Sequence, residues 1–111
     1  MIEEYSEEGI KKFLKSFRFN GYYIPEYMHE DIVMYLMEGK LYGDFLISVF
    51  TNDFKGTAQN ADSENMNSLP AYAALLIHVP IISQGSPDVV NAWMNKGGVL
   101  GLQKESHLKV V

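Results

Sequence analysis

Apolar residues return at helical spacing along most of this chain. Ile10, Phe13, Leu14 and Phe17 recur in steps of three and four, with Lys11, Lys12, Lys15 and Arg18 on the other side. That pattern predicts an amphipathic first helix. Ser6 is placed to cap its start, Glu7 and Glu8 suit its first turn, and Asn20-Gly21 is expected to stop it. Residues 1–5 are expected to be loose. Tyr22-Tyr23-Ile24 reads as extended, and Pro25 opens a second helix with Met28, Ile32, Tyr35 and Leu36 facing inward and Gly39 as its stop.

Asp44 is the expected cap of a third helix, which buries Phe45, Leu46, Val49 and Phe50. Asn52-Asp53 interrupts it, and Asp53 can start a further turn. From there Phe54, Ala58, Ala61, Asn65, Leu69, Tyr72, Leu76 and Val79 are spaced by threes and fours, one seam if the helix is continuous. Pro70 cannot sit unpunished inside such a helix, so the spacing predicts a bend near Asn67–Pro70 and a buried helix beyond it. A loop follows from Val79 to Gly85. Ser86-Pro87-Asp88 then starts a last helix with Val89, Val90, Trp93 and Met94 inward, closed by Gly97-Gly98.

The expected fold is therefore all-α: one compact bundle of four to six helices with its central helix bent near Asn67–Pro70. Residues 1–20 read as a helical extension, 21–98 as the core domain and 99–111 as a poorly ordered tail. A length of 111 residues and a hydrophobic content of 47% suit one domain with a real core. The net charge of −5 argues against DNA or RNA as a partner, which a basic patch would serve. The absence of cysteine excludes disulfides and thiolate zinc sites. No leader is visible at the N-terminus, and the apolar run 70–82 is cut by His78 and Pro80 and is too short to span a bilayer. A cytoplasmic location is the expectation.

Candidate chemistry is sparse. His29, His78 and His107 are scattered, and His29-Glu30-Asp31 lacks the second histidine of a zinc helix, so neither a metal nor a cofactor is expected. Asp62 and Asn65, three apart, share one helix face. Such a pair can hold a ribose hydroxyl, a base edge or an amide. Equally, Asp62 can cap a helix while Asn65 bonds a loop carbonyl, and the second reading is the commoner fate of buried polar groups. Asn52 and Asp53 invite the same two readings. Tyr35 belongs to a cluster with Tyr22, Tyr23, Tyr27 and Tyr42 that can stack on a flat ligand or line an oligomer interface. The ligand-binding candidates are thus Asp62, Asn65, Asn52, Asp53 and Tyr35.

Three groups of residues carry a family resemblance: Tyr35, Gly39, Gly43-Asp44-Phe45-Leu46, Val49 and Asn52-Asp53; then Ala61-Asp62, Asn65 and Leu69-Pro70; then Pro80, Gly85-Ser86, Val90, Trp93 and Gly97-Gly98. Together they resemble a family of small phage, prophage and bacterial proteins, over somewhat more than half of the chain. Gln84 stands where such proteins often have tryptophan. No activity comes with the family. Small phage proteins of this size often counter host defence, which implies a non-enzymatic sponge for a nucleotide-derived immune signal, working as a homo-oligomer in the cytoplasm of a bacterial host. The alternative is a small helical adaptor or inhibitor that docks on a host or phage protein. An enzyme using Asp53 or Asp62 as a base ranks below both.

Overall fold

The Ser6 side chain accepts the Gly9 amide and starts helix α1, Glu7–Ser16, in the computed structural model, which describes residues 2–110 and side chains as far as Glu105. Ile10 and Leu14 of the expected helix are fully buried, and Ile2, in the stretch expected to be loose, is buried as well, so both pack into the core. The helix ends before Asn20-Gly21. Those two residues have φ of 51° and 82°, and Phe19 and Tyr22 exchange both backbone hydrogen bonds across them. That is the geometry of a two-residue hairpin turn, for which Asn-Gly is the favoured pair.

A single 3-10 turn, Glu26–Met28, leads into α2, His29–Glu38, which Gly39 closes in the left-handed region at φ 71°. Helix α3, Asp44–Phe50, follows. Its cap position is Gly43, with φ 81°, and Asp44 is already helical rather than the expected cap. The continuous central seam is not formed. Asp53 caps α4, Phe54–Asn60; Asp62 caps α5, Ser63–Asn67; and α6, Leu69–His78, begins after Ser68 with Pro70 in its first turn. Each carboxylate satisfies amides that a continuous helix would have bonded itself, so the short polar residues punctuate the seam. The expected bend at Asn67–Pro70 is the break at Ser68.

Beyond α6 comes a second 3-10 turn, Ile81–Ser83, then α7, Pro87–Lys96, capped by Ser86 and closed by Gly97 at φ 83°. Helix α8, Gly98–Val110, takes the place of the expected poorly ordered tail. Val99 and Leu102 pack against the core from α8; His107 and the end of the 99–111 stretch lie outside the described side chains. The described residues thus form eight α-helices, more than the four to six expected, and contain no strand beyond the Phe19–Tyr22 bridge.

Helix α2 packs against α1 and α8, and α3 packs against α4 and α6. Tyr35 joins the two groups. Its ring lies 4.5 Å from that of Phe50, its hydroxyl donates to the Ser83 carbonyl at 2.6 Å, and its own carbonyl accepts the Trp93 indole N–H at 3.0 Å. His78, at the end of α6, sits against Phe13 and Phe17. A helix C-terminus favours a charged imidazole, but burial here wins and holds its pKa below the ordinary value.

Candidate functional site

The C-terminus of α3 sets up a cleft that brings together two of the five expected site residues, Asn52 and Asp53. Asn52 turns the chain in the left-handed region, φ 62°, a conformation asparagine tolerates better than most residues. The Asp53 amide then bonds the Ser48 carbonyl at 2.9 Å, and the Asp53 carboxylate accepts the Gly56 amide at 2.9 Å. These two anchors fix the start of α4 and leave Phe54 beside the cleft with its side chain in solvent, 86% exposed. Between α3, α4 and α6 lies a cavity of about 90 Å³. The buried Val49 and Tyr72 and the half-buried Leu76 form its floor, while Asn52, Asp53 and Phe54 stand at its rim.

Asp62 and Asn65 are brought together one step away, as links in a hydrogen-bonded chain running from surface to core. The Tyr27 hydroxyl donates to Asp62 Oδ2 at 2.6 Å, the Asn65 amide donates to Asp62 Oδ1 at 2.8 Å, and the Tyr72 hydroxyl donates to Asn65 Oδ1 at 2.5 Å. The Tyr27 hydrogen bond, with that of the Asn65 amide behind it, holds the Asp62 carboxyl below its usual value. In return the Tyr27 phenol is pushed up to about 12. Burial raises Tyr72 strongly. Tyr35 is apart from all of this, fully buried with its hydroxyl committed to Ser83.

These bonds define what the arrangement can do. The carboxylates of Asp53 and Asp62 cap helices, and the cleft lining contains no histidine, lysine or arginine to complete an acid–base pair. Among the described residues no group of three His, Asp or Glu side chains could hold a metal ion. A wider groove of about 400 Å³ runs between α1, α2 and α8, lined by Glu7, Glu30 and Glu38. It is hostile to phosphate, although Lys11 bridges Glu7 and Glu30 at 3.0 and 2.9 Å.

Three exposed apolar side chains were not foreseen from the spacing. Phe54, assigned to the buried seam, is 86% exposed; Ile77 on α6 is 75% and Ile81 81% exposed. Phe54 is flanked by Asp53 and Lys55, whereas the surroundings of Ile77 and Ile81 are free of Asp, Glu, Lys and Arg along the chain. No Asp, Glu, Lys or Arg occurs between Glu64 and Asp88, a stretch that includes all of α6 and the turn after it. That gap, together with the apolar residues all round α6, was the available signal: a helix apolar on every side is covered on every side. No helix among the described residues is long and apolar enough to cross a membrane. Comparison of the chain with family models, with curated proteins and with solved structures gives no match, so no relative bears on the chemistry of these side chains.

Proposed function

We propose that this protein is a non-enzymatic docking module that binds a protein surface through exposed apolar side chains of α4, α6 and the turn after α6. The exposure of Phe54, Ile77 and Ile81 carries the reading. Burying a large apolar side chain is worth about 1.5–3 kcal/mol, and three such side chains stand in water here. Interface centres are depleted of charge, as the stretch from α6 through the turn after it is. A cleft of about 90 Å³ suits one anchoring side chain. It is well below the ~300 Å³ at which small-molecule sites begin, so at this cleft the nucleotide-sponge reading draws less support. On the docking reading the chain is a small helical adaptor or inhibitor that acts on a host or phage protein.

The test is association with and without these side chains. Wild-type protein should form a stoichiometric protein complex, and Phe54→Ser/Ile77→Ser should lose it while melting at the same temperature, since both side chains are exposed. Association that survives the double substitution, or none at all, would overturn the proposal. Calorimetry with cyclic nucleotides should give no heat and no rise in Tm; a bound nucleotide that raises Tm would favour the sponge instead.

A further inference from the structure

The Asn20-Gly21 turn is followed at once by Tyr22 and Tyr23, each about half exposed. With Pro25 they supply the apolar lining of a groove of about 350 Å³, and Glu64, Asn67 and Ser68 supply its polar lining from α5 and the break after it. That volume lies at the lower end of the range for small-molecule sites. Phe54, Ile77 and Ile81 do not line it, so the groove is independent of the docking surface proposed above.

The polar lining is uncommitted. Ser68 is 8% exposed, yet it stands at the start of α6 without its side chain capping the helix, and its hydroxyl bonds no described residue. Buried hydroxyls ordinarily find a partner. The side chains of Glu64 and Asn67 likewise bond no described residue, and no Lys or Arg is among the lining to answer the Glu64 charge. Tyr23 shows what its ring accepts. The Arg18 guanidinium lies over it, 5.0 Å from the ring centre, while donating to the carbonyls of Lys15 and Phe17. Tyr23 is still 53% exposed with that cation in place. We infer that the groove takes a second guanidinium from outside the chain, the side chain of an arginine on a partner protein. A guanidinium is a flat cation that stacks on aromatic faces and carries a fork of N–H donors. Tyr22 and Tyr23 offer the faces, and Glu64, Asn67 and Ser68 offer acceptors. An anion would meet Glu64. A quaternary ammonium has no N–H for the Ser68 hydroxyl, and a neutral group draws nothing from the carboxylate charge.

Titration of the isotope-labelled chain with N-acetylarginine amide, followed by NMR, tests this. The amides of Gly21, Tyr22, Asn67 and Ser68 should shift saturably, with a Kd in the millimolar range for so small a ligand. N-acetylcitrulline amide has nearly the same shape without the charge and should bind at least about tenfold more weakly, the worth of one charge-assisted hydrogen bond. Glu64→Gln should weaken the arginine amide by a similar factor, and Tyr22→Leu should weaken it too. Both residues are exposed, and an unchanged spectrum elsewhere will show that each variant is folded. N-acetyllysine amide, with a compact ammonium in place of the flat fork, should bind more weakly than the arginine amide. No saturable shift at these amides, equal binding of citrulline or lysine amide, or binding indifferent to Glu64→Gln and Tyr22→Leu would overturn the inference. Phe54→Ser/Ile77→Ser should bind the arginine amide as the wild type does, so this inference and the docking reading fail separately.

Discussion

Asn65 shows how far single residues can be read. Its place on the buried side followed from spacing, and the side chain is 3% exposed. Its partner did not follow. Tyr72 reaches Asn65 only because the chain breaks at Ser68 between α5 and α6, and that angle is not written in a periodicity. Tyr72→Phe removes the donor and leaves a buried carbonyl oxygen without one, which costs about 1–3 kcal/mol. Urea unfolding should show a lower midpoint with an unchanged slope, and adding Asn65→Leu should recover part of the loss. An unaltered midpoint would mean that another donor serves Asn65. Phe54 is the opposite case. Spacing put it in the seam, but Asp53 caps the helix one residue earlier and the ring emerges into solvent.

At the level of elements, caps were more legible than continuity. Ser6, Asp53, Asp62 and Ser86 each accept an amide at a helix start as their residue types suggest. Spacing alone could not tell one long helix from three short ones, because the same three- and four-residue steps survive both breaks. Asp62 gives this a pH signature. Its folded carboxyl is held below the ordinary 3.8 by Tyr27 and the Asn65 amide. A depressed carboxyl contributes fully above its unfolded value, and the contribution is lost as pH falls through the folded value. Asp62→Asn keeps a capping oxygen without the charge. Wild type should therefore melt above Asp62→Asn at neutral pH, with the gap closing as pH drops below 3.8. A gap that persists in stronger acid would detach the effect from this carboxylate.

Across the whole molecule, charge and exposed apolar surface are segregated. The acids and bases crowd α1, α2 and their flanks, while α6 and the turn after it carry none. The radius of gyration, 13.8 Å, is close to that of a folded domain of this length, so α1 and α8 close over the same core instead of trailing from it. Helix α8 was missed because Gly97, Gly98 and Gly101 read as breakers. Gly98 is there for closeness: at φ 67° a side chain would be strained, and its Cβ would stand 2.7 Å from the Gly39 amide nitrogen. Where the ends of α2 and α8 cross, backbone lies against backbone. The last helix therefore cannot leave without uncovering the first turn of its own contact with α2, and this crossing should open only with the whole domain. Amide hydrogen exchange would read that directly. Gly39, whose N–H is held by the Tyr35 carbonyl at 2.9 Å, should exchange at the rate of global unfolding. The amides of α4, which contributes only Gly56 to the buried set, should exchange by local fraying long before. Such an order would make the α4 end of the molecule its soft end and the glycine crossing its clasp.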